Sequence, residues 1–163
     1  MILWNNDMIT VKQVVRATHF MLCEIEAGGD SAWVAFVYAS NDQRERADMW
    51  KDLEVNIRNR RGAWILLGDL NCIMDRKEKL NGNRVRDSEM EELSYFVDNA
   101  ELTDIHAGGC YFTWNNKHSN PQERIWCKLD RAMANAQWTT LFEDSFAIFQ
   151  APGLSDHSHI KMS

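Results

Sequence analysis

Two apolar runs, Ala32 to Tyr38 and Trp64 to Leu67, bracket a segment patterned as a helix, and no other feature constrains the chain as tightly. Each run is nearly free of polar residues, which suits a core strand, the first of them buried on both faces. Between them Asp42 and Glu45 have the spacing of a capping box. Ala47, Trp50, Leu53 and Ile57 then recur at helical intervals until Gly62. Ile9 to Val15 and Phe20 to Ile25 read as strands, with Met21, Cys23 and Ile25 alternating against Glu24 and Glu26. A second capping box, Ser88 with Glu91, predicts a helix carrying Met90, Leu93, Phe96, Val97 and Ala100 on one face. Tyr111 to Trp114 and Ile125 to Leu129 return to strand, with Asn115-Asn116 as a turn signal. A short helix near Trp138 and Phe142 and a strand from Phe146 to Phe149 follow. The expected class is α/β, a sandwich with helices packed on sheets, and residues 1–163 are expected to form one domain, since no repeat or linker divides them.

Several function classes are excluded at this stage. With 45% apolar residues in 163, the chain has the material for a core, so intrinsic disorder is excluded. The net charge of -6 is spread over short clusters, so a nucleic-acid partner would be held by a local patch and not by overall charge. No apolar stretch has the ~18 residues of a membrane span, and the expected setting is soluble and intracellular. Cys23, Cys72, Cys110 and Cys127 are dispersed beside apolar runs, which favours buried reduced thiols over a disulfide framework or a zinc site. The opening Met1-Ile2-Leu3-Trp4 is already apolar and strand-like, as though the pattern began upstream.

Three polar sites follow hydrophobic strands, where a rigid sheet holds side chains accurately: Gly68-Asp69-Leu70-Asn71, Lys128-Leu129-Asp130-Arg131 and Ser155-Asp156-His157. On an extended backbone Asp69 and Asn71 point the same way and could address one ligand, a carboxylate for water and an amide for a phosphate oxygen. The same tetrapeptide also suits a plain turn. Asp156 offers the hard oxygen that magnesium prefers, His157 can protonate a phosphoryl oxygen, and Asp130 can fix the tautomer of His157. Asp130 equally suits an ion pair with Arg131 or Lys128. Trp114, Trp126 and Trp138 suit either base stacking or core, and Trp50 and Trp64 are assigned to core. Arg76, Lys77, Lys79, Arg84 and Arg86 surround Asn81-Gly82-Asn83 in a loop suited to phosphate contact or to solvation alone. His106, His118 and His159 show no metal-ligand spacing.

Taken in order, these pieces resemble the endonuclease/exonuclease/phosphatase family, and within it the endonuclease domain of plant LINE-type non-LTR retroelements. The likeness runs through Val37-Tyr38, Arg46 to Trp50, Trp64 to Asn71, Glu78-Lys79, Gly109, Phe112 to Asn115, Lys128 to Arg131, Asn135, Trp138 and Ser155 to His157. The resemblance implies a DNase I-like four-layer α/β sandwich using Mg2+ or Mn2+ and an activated water to cut phosphate esters. It implies that Asp69 orients or deprotonates the water and that Asn71 places the phosphate. It implies that Asp156 lies in the metal site and that His157, supported by Asp130, stabilises the phosphoryl oxygens. Tyr38 would assist at the phosphate or leaving group, Asn41 would sit beside the scissile strand, and Trp114 and Trp126 would flank the substrate groove. DNA would be the partner, with a reverse transcriptase domain in the parent element and a nuclear location.

The resemblance also implies an Asn-bearing strand and a Glu-bearing strand upstream of residue 1, the Glu being the principal metal ligand. Glu24 and Glu26 fall too late to supply it, and Ser40 stands where proline is common. An N-terminally truncated domain of impaired activity is therefore expected, with an exposed sheet edge prone to association. The competing expectations are an inactive remnant acting as a binding module and a phosphatase of the same fold.

Overall fold

The computed structural model describes residues 2–153 and 155–163. Its centre is a six-stranded sheet in the order β1-β2-β3-β4-β10-β6. The first strands are β1 (Ile9–Arg16), β2 (Phe20–Ala27) and β3 (Asp30–Tyr38), joined as an antiparallel meander. Helix α1 (Gln43–Arg58) then crosses over to β4 (Ala63–Asp69), which lies parallel to β3. Strand β10 (Asp130–Ala134) runs antiparallel to β4, and β6 (Thr103–Asp104) closes that side.

Alternation decides what covers each face. On β4, Trp64 and Leu66 enter a core with Met49, Trp50 and Leu53 of α1 and Leu93, Phe96 and Val97 of α2 (Asp87–Asn99). Ala63, Ile65 and Leu67 enter the opposite core, shared with Ile105, Trp138, Ala147 and Phe149. Ala147 and Phe149 belong to a second sheet, β12-β11-β7, Trp138 to the short helix α3 (Ala136–Leu141), and Ile105 to the link after β6. Here β7 is Ala107–Gly109, β11 Ala147–Gln150 and β12 His159–Met162. A strand with both faces in a core reads as an unbroken apolar run, which is why β3 and β4 stand out in the sequence. A third, small sheet joins β5 (Lys79–Leu80), β9 (Trp126–Cys127) and β8 (Trp114–Asn115) in that order.

Several local expectations are corrected. Asp42 does cap α1, accepting from Arg44 N and Glu45 N, but Glu45 bonds the Ser40 hydroxyl and does not reach back, so the box is only half closed. The predicted box at Ser88 and Glu91 does not form. Helix α2 begins two residues earlier, after Arg86, which makes no side-chain cap. The complete box belongs to Asp75 and Glu78 around a single 3-10 turn, in the stretch expected to be an open basic loop. Tyr111 is outside any strand; the site at Lys128 to Arg131 does follow a strand, Trp126–Cys127, but Asp130 itself begins the next one. Ile2, Leu3 and Trp4 are not in a strand, and Met1 lies outside the described residues. All four cysteines are free thiols; Cys23, Cys72 and Cys127 are buried and Cys110 is half-buried. Among the described residues no helix is long and apolar enough to cross a membrane.

Candidate active site

The strand register brings three polar residues into one row. Tyr38 lies opposite Asp69, and Asp69 lies opposite Asp130, at the end of β3 and β4 where α1 and the 70–80 segment depart. Directly opposed residues share a face, and this is the face carrying Leu67 and Ala132, towards the smaller sheets. Gly68 makes the approach possible. At its φ of 135°, a Cβ would stand 2.1 Å from the Val37 carbonyl oxygen, so only glycine fits beside the carboxylate.

Asp69 and Asn71 converge, though not through an extended backbone. Asn71 has a left-handed φ of 49°. The turn lets its backbone N–H donate to Asp69 Oδ1 at 2.9 Å, while its Nδ2 donates to Asp69 Oδ2 at 3.1 Å and to Ala39 O at 2.7 Å. The carboxamide is thus pinned between two strand ends.

His157 arrives from the far end of the chain through a bridge to Trp114. Its Nδ1 stands 2.9 Å from Asp130 Oδ2 and its Nε2 3.7 Å from Asp69 Oδ2. A carboxylate only accepts, so Nδ1 carries the proton and Nε2 faces Asp69 and the cleft. The hydrogen bond to Asp130 raises the pKa of His157, with burial opposing. Asp69 is pushed up to about 6, chiefly by burial and secondarily by the neighbouring Asp130, against the Asn71 N–H, which lowers it. Asp156 is exposed, held by Trp114 Nε1 at 3.0 Å, and that bond depresses its pKa.

Asp69, Asp130 and His157 each present a ligand atom within 4.8 Å of the others. Asp156, expected at the metal, stands outside this trio but close enough to act electrostatically on both Asp69 and His157. Three carboxylates face one imidazole, and among the described residues no Lys or Arg pairs with the buried Asp69. A divalent cation fits this donor set, since oxygen ligands suit Mg2+ and Mn2+ and a cation would relieve the buried charge.

The remaining candidates are placed less centrally. Tyr38 is 69% exposed, at the rim of the row. Asn41 is exposed, its carbonyl accepting from the buried Arg46 guanidinium at 3.0 Å. Trp114 faces the site, its ring centroid 6.5 Å from that of His157. Trp126 does not. In the β8–β9 ladder Trp114 opposes Cys127 and Asn115 opposes Trp126, so the two indoles project from opposite faces of the small sheet. Asp130 pairs with His157, while Arg131 binds Glu78 and Asp104 and Lys128 binds Asp104, which removes the ion-pair alternative for Asp130. Glu24 and Glu26 lie at the other end of the sheet, opposite Trp33 and Ser31, and do not approach the cluster.

One organising residue escaped the sequence reading. Thr113 is fully buried; its hydroxyl accepts from Leu129 N at 3.0 Å and Asp130 N at 2.8 Å, and its carbonyl accepts from Ser158 N at 2.7 Å. It therefore ties Asp130 to the segment bearing His157. A lone hydroxyl between Phe112 and Trp114 was the available signal.

This arrangement agrees with what the comparisons find. The endonuclease domain of TRAS1, a telomere-specific non-LTR retrotransposon, superposes with a TM-score of 0.67 at 13% identity, covering 99% of this chain and 70% of that one. The 3' phosphatase NExo from Neisseria, bound to product DNA hairpin, gives 0.63 at 16% identity over 89% of this chain and 64% of its own. The Staphylococcus aureus beta toxin gives 0.58 at 16% identity over 89% and 56%. The chain thus spans between 56% and 70% of the length of these structures, and the likeness is one of fold. No curated protein matches its sequence. The profile of the Endonuclease/Exonuclease/phosphatase family, however, matches residues 1–157, which takes in every residue of the cluster, and the chain belongs to that family.

Proposed function

We propose that the chain is a hydrolase of phosphodiester bonds, dependent on Mg2+ or Mn2+ and acting on DNA. The observation that carries this reading is the His157–Asp130 pair aimed at Asp69 across one cleft. Asp69, with a pKa near 6, is matched to taking a proton from water at neutral pH. Asn71, fixed by Ala39 and Asp69, orients a phosphate oxygen or the attacking water. The hydrogen bond to Asp130 raises the pKa of His157, which favours the protonated ring whose Nε2 can donate to the charge growing on the phosphoryl oxygens. Asp130 holds the ring; Tyr38 and Asn41 line the approach; Trp114 keeps Asp156 in place. A divalent ion at Asp69, Asp156 or both would supply Lewis-acid polarisation of the phosphoryl group.

DNA is favoured over other phosphate esters by the likeness to TRAS1, an endonuclease domain, and to NExo, a 3' phosphatase bound to a product DNA hairpin. The Staphylococcus aureus beta toxin has been solved with bound magnesium ions, which supports the choice of cation. A nick that primes reverse transcription in a plant LINE-type element, inside the nucleus, is the finer role we propose.

Nicking of supercoiled plasmid with Mg2+ or Mn2+ tests the reading. His157→Ala should slow nicking by about 10²–10³. Equal rates for the two proteins would leave a binding module in place of an enzyme, and release of phosphate from monoesters without nicking would favour a phosphatase.

A further inference from the structure

The face of the small sheet opposite Trp114 carries its own aromatic surface. Leu80 lies opposite Trp126 in the β5–β9 pair, so both side chains project there. With Tyr111, Phe112 and Cys110 they line an open groove of about 300 Å3. Tyr111 is 55% and Leu80 50% exposed, an unusual outlay of large apolar surface in one place. Cys110 and Tyr111 also border a second cavity of about 260 Å3, floored by Gly108 and Gly109, with Lys128 and Asp104 at its side. The two share the wall formed by Cys110 and Tyr111, and together they make up a trough.

A cation accompanies each of the two principal rings. Arg124 Cζ lies 6.0 Å from the Trp126 centroid, and Lys128 Nζ lies 5.8 Å from that of Tyr111. Asp104 holds Lys128 at 2.7 Å, and Glu78 faces the same ammonium at 3.9 Å. Arg131, buried against the same two carboxylates, offsets them, and Arg124 beside Trp126 has no carboxylate partner among the described residues. The rim is fixed by the fold: Asn81 Nδ2 donates to Arg124 O at 2.8 Å, and Gly82 packs so closely on Ile125 that a Cβ there would stand 2.7 Å from its Cδ1.

We infer that this trough binds an unpaired strand of DNA, bases stacked on Trp126 and Tyr111 and phosphates drawn to Arg124 and Lys128. Interleaved rings and cations suit a single strand, because each base has an open π-face and a phosphate follows every base. A duplex keeps those faces covered and offers phosphates alone. Because Trp126 and Trp114 project from opposite faces, a strand held here leaves the His157 cluster open. The inference rests on DNA being the ligand class in the proposed function, and it holds whether or not the chain cuts.

Fluorescence anisotropy of a labelled dT 20-mer, and of its duplex with dA, in EDTA tests the assignment. The wild-type chain should bind dT more tightly than the duplex. Trp126→Ala and Tyr111→Ala should each weaken dT binding about tenfold, and Trp126→Phe should retain most of it. Thermal melting identifies any variant that fails to fold, in which case Trp126→Phe and Tyr111→Ala carry the test. No binding of dT by wild type, or equal loss on Trp114→Ala, overturns the inference. So does a dimer that Trp126→Ala converts to monomer without any oligonucleotide binding. Plasmid nicking is scored separately: a chain that binds dT but never nicks sinks the hydrolase reading and leaves this one standing.

Discussion

At the scale of single residues, the cluster is destabilising by design of its chemistry. In the unfolded chain Asp69 ionises near 3.8, whereas in the fold it does so near 6, mainly because burial opposes the anion. The sign follows directly. Below pH ~4 both states are protonated and folding carries no penalty. Between about pH 4 and 6 the unfolded chain releases its proton first, so the fold loses stability as pH rises, and above that the penalty is constant, on the order of 2–3 kcal/mol. Asp69→Asn, whose amide oxygen still accepts from Asn71 N, should therefore raise the melting temperature of the metal-free chain at pH 7 by a few degrees, with the gain gone below pH 4, while abolishing nicking. Mn2+ should stabilise the wild-type chain and leave the Asn variant where it was. A lower melting temperature for Asp69→Asn in EDTA at pH 7 would show that the carboxylate is not under strain.

At the scale of elements, the parts most legible in the sequence are those whose neighbours on both sides are apolar. Strands β3 and β4 declare themselves because each face enters a core. The chemistry of a carboxylate and an imidazole makes Asp130 a candidate partner of His157, but only the resemblance says that the two meet, since nothing local in Ser155-Asp156-His157 says which strand it will meet. The two misread boxes show why capping signals fail singly: Ser88 and Glu91 have the spacing, but α2 starts at Asp87, and the bonded box forms at Asp75, where Glu78 is drawn in by Arg131. Trp126 was misplaced because a two-residue strand reverses its face with a shift of one, and register is invisible in so short a run. Thr113 is the element-scale hinge of the site. Thr113→Val keeps the shape but strips two buried N–H groups, of Leu129 and Asp130, of their acceptor. The expected cost is roughly 2–4 kcal/mol by denaturant unfolding, with Thr113→Ser recovering most of it. A loss below ~0.5 kcal/mol for the Val variant would mean that those amides find another partner.

At the scale of the whole molecule, the two cores lie back to back on one sheet, and whether they melt together is what makes residues 1–163 one domain. The thiols report it. Cys72 belongs to the core under α1 and α2, and Cys23 to the core shared with β11 and α3. Burial pushes the Cys72 thiol up to about 12 and raises Cys23 and Cys127 as well, so in the native state each is both covered and protonated, two independent bars to alkylation. Cys110, half-buried beside Tyr111, has no such cover. Iodoacetamide should therefore modify Cys110 within the native fold and reach the other three only through unfolding. If the cores form one cooperative unit, Cys23 and Cys72 react with the same denaturant dependence, because both open only when the shared sheet comes apart. If Cys23 labels at a lower denaturant concentration than Cys72, the face towards the small sheets opens first. The Asp130 and Asp69 carboxylates lie on that face, so this result would place the candidate site on the less stable half of the molecule and end the single-domain reading.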